Sequence, residues 1–220
     1  MQWKNSVGFA VLAAAFLQFF VATGAAALAI GGGVTGGTAQ GQGGIFEKLE
    51  VPFNPPNGNL NEVGADTFET PNLYVFDEDQ NIMIAANLAV DVGTAPTAGD
   101  IVASHYVFFD PLSTTTIEGY VDFDADIFGI ATSTTNLVNS DFLASTGVVY
   151  LSPTLRGLES VDSVSIDPLN ASRLLIDFSA GTPGDYVRVL TMESPVPEPS
   201  TAVLLGIGLA GLARFRERER

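Results

Sequence analysis

Three aspartates, Asp122, Asp124 and Asp126, occupy every second position of "VDFDADIF", so on an extended chain their carboxylates share one face. Hard oxygen donors grouped in this way are the chemistry of Ca²⁺. The spacing departs from an EF-hand loop, because Ile127 stands where that loop needs glycine and Ser133 where it needs glutamate. A plainer reading puts Val121, Phe123, Ala125 and Ile127 in a core and leaves the aspartates to water. Ca²⁺ therefore stays open as a cofactor while no metal site is assigned. A second acidic run, Asp77, Glu78 and Asp79 in "FDEDQN", reads as a solvated turn.

His105 is the only histidine, set beside Ser104 and five residues before Asp110. A serine hydrolase needs Ser, His and an acid converging on an oxyanion hole, and the chain contains no G-x-S-x-G elbow. A hydrogen-bonded strand histidine is the expectation, and one histidine without cysteine does not make a zinc site. Glycoside hydrolysis needs two carboxylates across one cleft. Glu118 and Glu159 are the pair to consider, since both adjoin apolar stretches that can raise a pKa. Carbohydrate binding would use Tyr106, Tyr120, Tyr150 or Tyr186 as stacking surfaces, each equally suited to a core or a strand edge. The threonine clusters at 113–116 and 132–135 are too irregular to form a water-ordering array and suit exposed strands. No catalytic residue is assigned, and a non-enzymatic body is expected.

The elements that would position these groups follow from composition and pattern. The chain has 220 residues, 46% of them hydrophobic, which supports a packed core. Its net charge is −16, and residues 49–155 contain no Lys or Arg. Such a body repels phosphate backbones, so nucleic acid is excluded as a partner. Cysteine is absent, which removes disulfides, thiol catalysis and thiolate metal sites. Short apolar or alternating runs predict strands over 72–76, 82–90, 101–110, 115–123, 125–131, 147–151, 160–166, 173–178 and 185–192. Gly, Pro, Asn and Asp separate them. "SDFLAST", with Ser140 as a cap, can make one or two helical turns. The pattern implies a mainly β protein with a single antiparallel β-sandwich, jelly-roll-like, over 45–194, a barrel being the second choice. Residues 30–44, rich in glycine, read as a flexible linker.

Both ends have their own logic. Lys4 followed by the apolar run 7–21 reads as a signal peptide over 1–29, and Trp3, the sole tryptophan, leaves with it. Ala25 and Ala27, or Ala27 and Ala29, satisfy the cleavage rule, so the mature chain is expected to start at Leu28 or Ile30. At the other end Pro195, Pro197 and Pro199 hold Val196 and Glu198 extended. Residues 202–213 are then wholly apolar. Twelve residues give only about 18 Å of helix, a short transmembrane stub lengthened by Ser200, Thr201 and the stems of the arginines. Arg214, Arg216, Arg218 and Arg220 would hold its end in the cytoplasm and leave the body outside.

Pro197-Glu198-Pro199, the short apolar span and the arginine-rich end together resemble the PEP-CTERM protein-sorting signal, a tail also labelled ice-binding protein C-terminal domain. The resemblance covers the last 25 residues or so and implies recognition by an exosortase. It further implies cleavage near the motif and delivery to the cell surface or exopolysaccharide matrix of a Gram-negative bacterium, after transient anchoring in the inner membrane. Glu217 and Glu219 interrupt an arginine run that is more often contiguous, and the ice-binding label transfers no activity to the body. Four segments of the body, "FDEDQN" (76–81), "SHYVFFDP" (104–111), "LRGLES" (155–160) and "PGDYVRVLT" (183–191), are similar to bodies of other proteins with this tail. The expected function is that of an exported structural or adhesive component. The alternative is an extracellular protein that binds or hydrolyses polysaccharide through a carboxylate pair.

Overall fold

A computed structural model describes residues 26–193; the N-terminal apolar run expected to be a signal peptide, the proline motif and the C-terminal apolar run lie outside them. Strands make up 42% and helices 10% of the structure, so the expected mainly β class holds. The chain begins with β1 (Ala29–Gly36), a single helical turn α1 (Gly37–Gly41), β2 (Phe46–Lys48), β3 (Glu62–Val63), β4 (Leu73–Asp77), β5 (Ile82–Met83) and β6 (Val92–Gly93). Three longer strands follow: β7 (Ile101–Phe109), β8 (Thr115–Phe123) and β9 (Ile127–Ala131). After α2 (Thr134–Asn139) and a 3₁₀ turn (Asp141–Leu143) come β10 (Val149–Tyr150), a second 3₁₀ turn (Pro153–Leu155), β11 (Ser163–Asp167), β12 (Asn170–Ala180) and β13 (Asp185–Met192).

One sheet has the order β1-β8-β12-β11, the other β2-β4-β7-β13-β9-β6 with β5 also on β7. Pairing is antiparallel except between β2 and β4 and in the small β3-β10 pair. Strand β8 alternates strictly: Thr115, Ile117, Val121 and Phe123 are buried, while Thr116 and Glu118 are exposed. That period of two is what one apolar face requires. Its buried side chains join those of β12 (Leu174, Ile176, Phe178) and of β7 and β13 (Val107, Phe109, Val187, Val189) in one apolar cluster. Strands from both sheets thus build a common core, each fully buried Val, Leu, Ile or Phe contributing about 1.5–3 kcal/mol.

Strands β7 and β13 do not alternate, being buried on both faces. Their second face carries Tyr106, Phe108 and Tyr186, which pack with Phe53, Phe68, Tyr74 and Phe76 under the loops. The ring centroids of Phe108 and Tyr186 lie 5.7 Å apart, nearly stacked. A polar residue on such a strand has no solvent to turn to and must find a protein partner.

Two expectations fail here. The glycine-rich stretch beginning at residue 30 is no flexible linker, because β1 pairs with β8 along the sheet edge. Glycine suits this strand because aromatic rings lie where side chains would point. A Cβ at Gly32 would meet the Phe46 ring at 2.3 Å, and one at Gly33 the Tyr120 ring at 2.9 Å. Gly37, with φ +75°, sits against the Thr116 carbonyl, 2.3 Å from where a Cβ would be. Gly37→Ala should therefore destabilise the domain by about 1–3 kcal/mol, read by urea unfolding; a linker residue would show no change. The second failure is the strand expected over 82–90, of which only Ile82–Met83 forms. Ile84 and Leu88 turn instead into a cluster with Val102, Leu143 and Leu190, so their apolar character serves a covering loop. Near the expected Ser140 cap, Ser133 caps α2 through its hydroxyl, which accepts from the Asn136 N–H, and Ser140 leads the 3₁₀ turn.

Candidate functional site

The three aspartates of "VDFDADIF" do alternate outward, with Val121, Phe123, Ala125 and Ile127 buried between them. Each has its own protein donor. Arg173 donates two hydrogen bonds to Asp122, at 2.6 and 3.0 Å. The Leu28 N–H donates to Asp124 Oδ1 at 2.7 Å, and the Ser172 hydroxyl to Asp126 Oδ1 at 2.8 Å. The face is bound up in holding β1 and β12 to β8, which removes the reason to place Ca²⁺ there.

The run Asp77-Glu78-Asp79 is not the solvated turn expected. Asp77 accepts from the Ala29 N–H at 2.9 Å and pairs with Lys48 at 2.6 Å and His105 Nδ1 at 2.7 Å. Burial alone would raise its pKa, but the bonds from His105, Ala29 and Lys48 prevail and lower it. Glu78 is 5% exposed and receives the Arg188 guanidinium as a fork, Nε to Oε2 at 2.6 Å and Nη2 to Oε1 at 2.9 Å. The Ser104 hydroxyl donates to Oε2 at 2.6 Å and the Tyr150 hydroxyl to Oε1 at 2.5 Å. Arg188 Nη1 then donates to the Leu137 carbonyl, Ser140 Oγ and Asp141 Oδ1. Asp141 in turn takes a bidentate pair from Arg156, at 3.0 and 2.7 Å. The Arg188 guanidinium also lies 5.6 Å from the Tyr106 ring centroid.

All four body segments singled out in the sequence meet in this network, through Glu78, Ser104 and Tyr106, Arg156, and Arg188. The signal that could have found it was Arg188 between Val187 and Val189 in an apolar stretch of strand, where a cation demands a buried anion. What sequence reasoning missed was which anion, because Glu78 is 110 residues away.

His105 is the hydrogen-bonded strand histidine expected: fully buried, Nδ1 on Asp77 and Nε2 3.0 Å from Thr191 Oγ1. Ser104 is bound to Glu78, and Asp110, past the end of β7, is bound to the Phe68 N–H, so these three do not converge as a triad. Asp110 is itself unusual. Its Oδ2 accepts from the Phe68 N–H at 3.0 Å while Oδ1 has no partner. Burial pushes its pKa up to about 6, the Phe68 bond opposing and the charges of Asp66 and Glu69 adding.

Glu118 lies mid-strand in β8 opposite Asp177. Glu159 belongs to a different group, with Asp162 and Asp185, so the expected carboxylate pair is not assembled. Tyr106 and Tyr186 are buried and Tyr150 is tied to Glu78. Tyr120 covers Gly33 and lies 4.4 Å beneath the Arg173 guanidinium. The tyrosines that could stack on sugar are thus engaged in packing. Of the threonine clusters, Thr115 is buried, and Thr134 donates to the Arg156 carbonyl, so neither forms a regular exposed array.

Ala25, Pro197, Glu198, Pro199 and the four terminal arginines lie outside the described residues; Ala27 packs against Ala103 and Ala125. Among the described residues no helix is long and apolar enough to cross a membrane. The comparison with protein families bears on the tail. Residues 195–218 match the PEP-CTERM protein-sorting motif. The chain therefore carries this sorting motif, which implies an exported protein of the cell envelope sorted by an exosortase. No curated protein and no solved structure matches the chain.

Proposed function

We infer that the chain is delivered to the cell surface or extracellular matrix through its sorting motif, and that its body is a two-sheet sandwich acting as a non-catalytic structural or adhesive component. The match at residues 195–218 carries this reading. The body adds support of a simple kind. His105, Ser104 and the aspartates of 122–126, the groups whose types are suited to chemistry, each serve a bond that holds the fold. An acidic, cysteine-free domain between a signal peptide and a short membrane stub suits passage across the inner membrane and release beyond it.

Signal-peptide removal after Ala27 leaves β1 whole and places the new ammonium of Leu28 against Asp124, where the amide nitrogen already lies 2.7 Å from Oδ1. Removal after Ala27 takes away Ala27, buried against Ala103 and Ala125, but removal after Ala29 would also cost Ala29, which is buried and pairs with Phe123 on β8. The test is mass spectrometry of the protein from its native host. An N-terminus at Leu28 and a C-terminus near Pro197-Glu198-Pro199 are expected, whereas an intact chain retained in the cytosol would overturn the reading.

A further inference from the structure

We propose that Glu159, Asp162 and Asp185 form a Ca²⁺ site that clamps the two main sheets together. One carboxylate oxygen from each of the three lies within 4.8 Å of the other two. Three oxygens so spaced share a point within about 2.8 Å of each, close to the 2.3–2.6 Å at which Ca²⁺ holds oxygen ligands, so small side-chain rotations would bring all three onto a single ion. With oxygen donors only, the set selects a hard divalent cation over zinc or copper.

The second observation is Asp185 itself. It opens β13, is 1% exposed, and its Oδ2 has no hydrogen-bond partner. A buried carboxylate oxygen without a donor is costly and calls for a counter-charge. No cation among the described residues supplies it. They contain four Lys or Arg side chains, Lys48, Arg156, Arg173 and Arg188. Each is paired elsewhere, with Asp77, Asp141, Asp122 and Glu78 respectively.

Asp162 is held ready. Asp162 Oδ2 accepts from the Glu159 N–H at 2.9 Å and Oδ1 from the Ser179 N–H at 2.7 Å, so the carboxylate is fixed by the backbone from two directions. Asp162 leads into β11 and Ser179 lies in β12, both in one sheet, while Asp185 belongs to the other. An ion here would tie the loop before β11 to the start of β13 across the join between sheets. Exported modules commonly bind Ca²⁺ with a Kd of about 10⁻⁴–10⁻³ M, the range in which this clamp should fill.

The full-length chain, purified in mild detergent, is melted with EDTA and with increasing CaCl₂. At Ca²⁺ about 100-fold above Kd the Tm should rise by about 5–10 °C. Asp185→Asn keeps the shape and removes the anion, so its Tm in EDTA should match or exceed wild type while the Ca²⁺ response disappears. Glu159→Gln changes an exposed side chain, puts folding at no risk, and should weaken Ca²⁺ binding about tenfold or more by calorimetry. Asp122→Asn should retain the full response. An unchanged wild-type Tm at 10 mM CaCl₂, or an undiminished response in both Asp185→Asn and Glu159→Gln, overturns the site.

Discussion

Replacing Arg188 by methionine is expected to lower the unfolding free energy by about 3–5 kcal/mol, a large part of the 5–15 kcal/mol typical of a domain. The reason is what remains behind. Glu78 would stay 5% exposed with no cation in reach, since among the described residues its only salt-bridge partner is Arg188. The Leu137 carbonyl and Ser140 hydroxyl would lose a shared donor as well. Ser104 and Tyr150 would still donate to Glu78, which eases the carboxylate's position without neutralising it.

Removing both charges is a different matter, because a buried ion pair exchanged for apolar side chains of similar volume is often nearly neutral. The double variant Glu78→Leu with Arg188→Met should recover part of the loss and no more, for Ser104 and Tyr150 would then lack their acceptor. Urea unfolding of the wild type and both variants measures this. A single-variant loss under about 1 kcal/mol would mean that the guanidinium fork is not what holds α2 and the 3₁₀ turn at Asp141–Leu143 to the sheet.

The second large effect concerns the tail. Changing Pro197 and Pro199 together to alanine should stall processing in the native host, with released mature protein falling about tenfold or more. Proline fixes φ and disfavours α geometry in the residue before it, so the sequence favours an extended Glu198 ahead of an apolar run whose composition favours a helix. Alanine, the best helix former, would let that helix grow back through the motif and deny the enzyme an extended peptide. Immunoblotting of membrane and released fractions reads the outcome. Release at the normal rate would show that the enzyme recognises Glu198 and the apolar run alone.

Much of the framework is legible in the order of residues alone. Alternation bounds the strand Thr115–Phe123, and a short apolar run after turn residues the strand Asp185–Met192, where the fold has them, and the outward face of Asp122, Asp124 and Asp126 follows from alternation by itself. Such features depend on neighbours two residues apart, and sequence order displays those directly. The sorting motif is legible for the same reason: prolines, apolar run and arginines lie within 25 residues or so, and each acts through local backbone geometry or charge.

What sequence order conceals is the partner contributed by a distant segment. Glycines from residue 31 onward look like a spacer until Phe46 and Tyr120 supply the rings that cover them. "FDEDQN" looks like a solvated turn until Arg188 arrives across 110 residues, and Glu159 looks like half of a catalytic pair until the fold brings Asp162 and Asp185 beside it. The chain by itself determined strand content, central strands and destination, because propensity, period and motif are local quantities. Whether a charge is solvated or buried, and which opposite charge or ion must answer it, was decided only when the two sheets closed. Burial and ion pairing are properties of the space between segments, and no single segment contains them.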